Sequence, residues 1–102
     1  MISLKRLVYY IDGATSEKDK YISIKDMSIF FINEDCDYKT ILNRIKNQLH
    51  GHRNMFAVNK IKGRVFWRLS ANGYRYFNKW KDIYDPILDV VLILPNKIEV
   101  IQ

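Results

Sequence analysis

The sequence predicts an α+β domain with three helices, a β-hairpin and a further helix, in that order. Three patterns carry this expectation. Apolar residues recur at helical spacing over 3–11, 24–31 and 38–50. They alternate after Gly63, where Val65, Trp67 and Leu69 share one face as in a half-buried strand. Aromatic residues then recur at helical spacing over 71–84. A chain of 102 residues, 48% hydrophobic and 14% aromatic, is long enough for one packed core and too apolar for a disordered tail.

In the first helix Leu4, Leu7, Val8 and Ile11 share a face, and Asp12-Gly13 is expected to end it. A polar loop follows to Lys20, and Tyr21-Ile22 reads as a short strand. Ser23 with Asp26 three residues later is an acidic capping box, opening a helix over 24–31 that buries Ile24, Met27, Phe30 and Phe31. The cluster Asn33-Glu34-Asp35-Cys36-Asp37 is a turn offering further caps.

The third helix, 38–50, has the clearest pattern. Ile41, Leu42, Ile45 and Leu49 fall on one side, and Gly51 is expected just beyond its end, at C′. Its other side carries Lys39, Thr40, Asn43, Arg44, Lys46, Asn47 and His50, with no acid among them. A helix face that serves only solubility usually mixes signs to gain i,i+4 pairs. Strands at 55–59 and 64–69 flank a tip with Lys60, Lys62 and Arg64, and Gly63 permits the reversal. Ser70 caps the fourth helix, where Tyr76, Phe77, Trp80 and Tyr84 recur until Asp85-Pro86 breaks it. Residues 87–102 are rich in β-branched side chains around Pro95-Asn96 and read as a C-terminal hairpin, with a helix over 87–94 as the alternative.

Taken together, "YISIKDMSIFFINEDCDYKTILNRIKNQL" resembles the helix–turn–helix of winged-helix transcriptional regulators. "FAVNKIKGRVFWRLSANGYRYFNKW" resembles their wing and closing helix, with Trp67-Arg68-Leu69-Ser70 where the wing ends. The resemblance implies a winged helix-turn-helix domain over 1–84 with a C-terminal β-rich extension over 85–102. It departs from the family in a longer, more acidic turn between the helices and in the extension itself. It also implies double-stranded DNA as partner, a recognition helix at 38–50 and a wing at Lys60, Lys62 and Arg64.

Elementary chemistry agrees with that expectation. The chain carries 17 Lys and Arg against 11 Asp and Glu, a formal net charge of +6 that favours polyanions. The major groove admits one α-helix, and its base edges are read by Arg, Asn and Gln. Asn43, Arg44 and Asn47 suit base edges, Lys39, Thr40 and Lys46 suit phosphates, and the hairpin cations suit a neighbouring backbone or the minor groove. A basic face can also dock an acidic protein, which is the alternative.

No Ser/His/Asp set, phosphate-cradling glycine loop or carboxylate pair stands out, so an enzyme is not expected. His50, His52 and Cys36 lack a fourth ligand and a zinc spacing, so no metal or other cofactor is expected. Tyr9, Tyr10, Tyr74 and Tyr76 could stack on single-stranded bases, but their helical spacing reads as core. Asp12, Asp19, Asp82 and Asp89 read as caps and solvated positions. A lone Cys36, no signal peptide and no apolar run of about 20 residues point to the cytoplasm and no membrane. The apolar run after Ile87 exceeds what one small domain needs and favours a homodimer.

Overall fold

The structure, a computed structural model, describes residues 2–32, 34 and 36–91, with Val90 and Val91 placed by their helix alone. Among these residues are five α-helices and one antiparallel hairpin. Asn33, Asp35 and the turn at Pro95-Asn96 lie outside them.

Helix α1 is Leu4–Ala14, and the Ser3 hydroxyl caps it by accepting from the Arg6 N–H at 3.0 Å. It buries Leu7, Val8 and Ile11. The helix runs through Asp12-Gly13, where the sequence reading ended it. Thr15 closes it instead, buried and donating from Oγ1 to the Ile11 carbonyl at 2.6 Å. Burial raises the Asp12 carboxyl above its usual range, against a smaller opposing pull from Lys81.

Helix α2 is Ile24–Ser28, continued by a 3₁₀ turn at Ile29–Phe31. Both halves of the capping box form: Asp26 N–H donates to Ser23 and Ser23 N–H to Asp26, each at 3.1 Å. Met27 and Phe31 are fully buried, while Ile24 and Phe30 pack at the edge of the core. Just before α2, Ile22 exchanges backbone hydrogen bonds with Trp67 at 2.8 and 2.7 Å. This antiparallel bridge adds a one-residue strand beside the hairpin.

Helix α3 is Tyr38–Gly51, capped by Asp37, whose Oδ1 accepts from the Thr40 N–H at 2.8 Å. Hydrogen bonding with Thr40 holds the Asp37 carboxyl below its usual range. Ile41, Ile45 and Leu49 are buried, and Leu42 is half-buried. Gly51 proves to be the last helical residue rather than C′; His52 takes the cap, its N–H donating to the Gln48 carbonyl at 3.2 Å.

Strands β1 (Phe56–Ile61) and β2 (Arg64–Leu69) pair Phe56 with Leu69, Val58 with Trp67 and Lys60 with Val65. The two-residue turn puts Lys62 at φ 51° and Gly63 at φ 79°. Two positive φ values give the primed turn whose twist matches the strands. The sequence reading ended the first strand at Asn59; pairing continues to Ile61, leaving only Lys62-Gly63 unpaired.

Helix α4 is Ala71–Asn78, shorter than the expected 71–84. The chain leaves the helix at Trp80 (φ −133°), whose ring packs against Phe77, Tyr76 and Tyr84. A straight continuation would trade these contacts for helix hydrogen bonds. Ser70 accepts from the Gly73 N–H at 3.2 Å and donates to the Asn54 carbonyl at 2.6 Å, tying α4 to the turn before β1. Gly73 is needed for this joint, because a Cβ there would lie 2.1 Å from the Met55 carbonyl oxygen.

Asp85-Pro86 starts a helix rather than ending one. Helix α5 is Pro86–Val91, with the Asp85 carboxylate accepting from the Ile87 N–H at 2.9 Å. Proline at a first helical position loses no hydrogen bond, which is why the break signal served as a start. The described part of the extension is therefore helical, in line with the alternative of a helix over 87–94 rather than a strand starting at Ile87; residues 92–102, where the rest of the β-rich expectation falls, lie outside the described residues. Ser3 and Tyr84 hydroxyls both donate to Asp89, so this residue is a tether and not a solvated position. Burial first, then the Asp89 carboxylate, raises the Tyr84 hydroxyl above its usual range.

One core joins α1, α2, α3, the hairpin and α4 around Leu7, Ile11, Phe31, Ile45, Leu49 and Trp67. Truncating a fully buried leucine such as Leu7 or Leu49 to alanine would cost about 2–5 kcal/mol. The tyrosines serve the same packing: Tyr10 stacks on Phe30 with ring centres 5.2 Å apart, and Tyr9 meets Tyr84 at 5.4 Å. Tyr74 accepts from Arg68 at 3.0 Å.

Candidate nucleic-acid interface

Helix α3 and the hairpin share one side of the molecule, and charge is sorted along the chain to match. After Asp37 the sequence carries no acid until Asp82. That stretch holds all of α3, the hairpin and α4. The acid-free run is longer than the helix face that first draws attention, and it is legible as a gap between two aspartates.

On α3 the buried Ile41, Ile45 and Leu49 turn the opposite side outward. Lys39, Asn43, Lys46, Asn47 and His50 are exposed. At about 100° per residue, Asn43 and Asn47 occupy the middle of this face, with Lys46 and His50 on one flank and Arg44 on the other. The flanks have different surroundings. Arg44 is half-buried, and its Nη1 sits 3.8 Å from the Cys36 sulfur, so its guanidinium leans toward the α2–α3 turn. Thr40 is half-buried too, its N–H held by Asp37.

The hairpin cations, grouped together in the sequence reading, divide among three directions. Alternation puts Lys60 on the face shared with Val58, Val65 and Trp67, which looks toward α3. Arg64 is on the opposite face, beside Ser23, Lys25 and Asp26. Lys62 caps the tip between them. Lysine in a left-handed conformation costs of order 1 kcal/mol, and asparagine would fit that position better.

The groove between α3 and the hairpin has a volume of about 540 Å³. Lys46 and His50 line it from α3, and Lys60, Val58 and Trp67 line it from one face of the hairpin. Arg53, exposed in the 3₁₀ turn Arg53–Met55, also lines it and was missed by sequence reading, because the turn's position only emerges from the fold. The His50 ring meets Trp67 edge-on at 5.9 Å, whereas His52 Nδ1 lies 3.2 Å from the Gln48 carbonyl. Among the described residues no three His, Cys, Asp or Glu side chains converge as metal ligands.

The acidic turn before α3 bears less on this face than its sequence implies. Glu34 is not a cap: it forms a largely buried ion pair with Arg6, whose guanidinium also lies 4.7 Å from the Phe31 ring. Its charge is matched inside the fold. Asp37 is the cap, and Asp35 lies outside the described residues.

No helix among the described residues is long and apolar enough to cross a membrane. No family model, curated protein or solved structure matches the chain.

Proposed function

We propose that the protein is a small winged-helix DNA-binding protein acting as a dimeric transcriptional regulator. Helix α3 is the recognition helix and the hairpin is the wing. The observation that carries this reading is the exposed, acid-free face of α3 beside a basic hairpin, with Glu34 of the preceding turn paired internally to Arg6 and Asp37 engaged as the helix cap. Ile22 bridged to Trp67 supports the same architecture, since it fixes the hairpin beside the α2–α3 pair.

Roles follow from position. Asn43 and Asn47, central and exposed, read base edges in the major groove. Lys39, Lys46 and His50 hold phosphates along one flank of that face, and Lys62 reaches a neighbouring backbone or minor groove. Arg44 reads a base only after leaving Cys36, so it serves as a secondary contact. Ile83, Ile87 and Leu88 are 87%, 71% and 59% exposed and form the two-fold interface with a second copy.

The test is duplex binding across a salt gradient. With about six phosphates engaged, log affinity should fall against log salt with a slope near −5. A flat response would eliminate this function. The second reading, docking of an acidic protein, rests on the same exposed cations, with exposed Ile29, Ile32 and Tyr38 around a groove at the α2–α3 turn adding apolar contact area for a protein partner. It predicts retention of an acidic protein that survives mutation of Asn43 and Asn47.

A further inference from the structure

We infer that the groove between α3 and the hairpin is a slot for the sugar–phosphate backbone of one DNA strand, held by Arg53 where β1 begins and by Lys60 near the hairpin tip. This rests on the DNA-binding reading and adds a residue and a direction to it. Four groups that can donate to phosphate, Lys46, His50, Arg53 and Lys60, line a single channel, and all four are exposed. Among the described residues none of them has an acid partner within ion-pair distance. Mutual repulsion of unpaired cations around one cleft is relieved when an anion enters.

The apolar lining narrows the ligand further. Val58 is 48% exposed on the groove side of β1, directly across from buried Trp67. A bare phosphate gains nothing from such a surface. A deoxyribose-phosphate chain does, because its sugar C–H edges cover the apolar lining while its phosphates meet the cations around it. Arg53 suits this role since its fork can engage one phosphate with two N–H groups. The channel also continues the exposed face of α3, so a strand lying in it borders the groove that the helix enters.

The hairpin provides its own control. Ile61 is 50% exposed, close to Val58, but alternation puts it on the opposite face. Val58→Asp and Ile61→Asp add the same charge to the same strand at matched exposure. Both, with Arg53→Gln, should be measured by fluorescence anisotropy on a labelled random-sequence DNA duplex, with melting curves to confirm folding. Val58→Asp should weaken binding about tenfold more than Ile61→Asp, and Arg53→Gln should lower the salt slope by about 1 for every sequence. Should Val58→Asp fail to fold, the Arg53→Gln slope decides alone. Equal losses for the two aspartates, or an unchanged Arg53→Gln slope, would overturn the slot while leaving DNA binding by wild type intact. If wild type itself shows no salt-dependent binding, the DNA reading falls and the slot with it.

Discussion

The hairpin side and the α5 end of this molecule treat charge in opposite ways. Around α3 and the hairpin, Lys39, Lys46, Arg53, Lys60 and Lys62 stand exposed with no acid partner among the described residues. Around α1 and α5, polar groups are consumed internally: Asp89 takes hydrogen bonds from Ser3 and Tyr84, and Arg6 pairs with Glu34. That end also leaves Ile83, Ile87 and Leu88 in water, beside exposed Lys5, Lys81, Asp82 and Asp85 of both signs. The difference lies in charge: cations of one sign stand unpaired by α3 and the hairpin, whereas the α5 end mixes both signs around its exposed apolar side chains. These are two candidate contacts of different chemistry.

The joint between the two regions should be the most fragile point. Gly73→Ala drives a Cβ into the Met55 carbonyl, and neither backbone can yield without moving α4 or β1. We expect a loss of about 3 kcal/mol in urea unfolding, with DNA binding falling only as far as folding does. A loss well under 1 kcal/mol would mean that α4 and the hairpin are not locked together.

Next in size come changes on the charged side. Asn47→Ala should relax sequence preference by about 1–3 kcal/mol, read by selection from random duplexes. Lys62→Ala should weaken all sequences alike, and a change of preference from Lys62→Ala alone would reverse the roles of helix and wing. At the other end, Asp89→Asn removes the charged acceptor of two hydroxyls and should cost about 1 kcal/mol of stability. Affinity for a single half-site should not change with it.

Lys62→Asn separates stability from function at one residue. Asparagine tolerates the left-handed conformation at φ 51°, so the variant should gain about 0.5 kcal/mol in stability while losing DNA affinity. A gain in both would show that the tip lysine has no electrostatic role. The smallest effect concerns pH. Asp37 titrates lower in the folded protein than in the unfolded chain, so its stabilisation of α3 is present above its unfolded pKa. That contribution fades as pH falls through the lowered folded value. Asp37→Asn should remove this part of the acid limb of a pH–stability curve and leave neutral-pH stability nearly unchanged.

Local patterns made much of this fold legible in the sequence. Ser23 and Asp26 announce a capping box that forms in full, and the apolar stripe of α3 is buried as its spacing requires. The hairpin reads from the alternation of Val65, Trp67 and Leu69 after Gly63, although its first strand runs two residues past Asn59. What stayed hidden depends on distant partners. Asp12-Gly13 looks like a stop, yet α1 continues because Thr15 closes it from inside the core. The early end of α4 follows from Trp80 packing against Phe77 and Tyr84, which no propensity encodes. Glu34 reads as a further cap of α3, and only Arg6, 28 residues earlier, turns it inward. Of the candidate site, α3 was legible by face and the hairpin by composition. The division of Lys60 from Arg64 required knowing which side of the strand pair meets α3, and Arg53 required knowing where its turn lands.

The most direct test of a polyanion-binding side at α3 and the hairpin, separate from the α5 end, is a map of backbone amide shifts in labelled protein titrated with duplex DNA. The account predicts that perturbations concentrate on 39–53 and 60–64 and fade when salt is raised, while the amides of Ile83, Ile87 and Leu88 stay where they were in the free protein. Shifts centred on α5 with α3 silent, or no shifts at low salt, would contradict it.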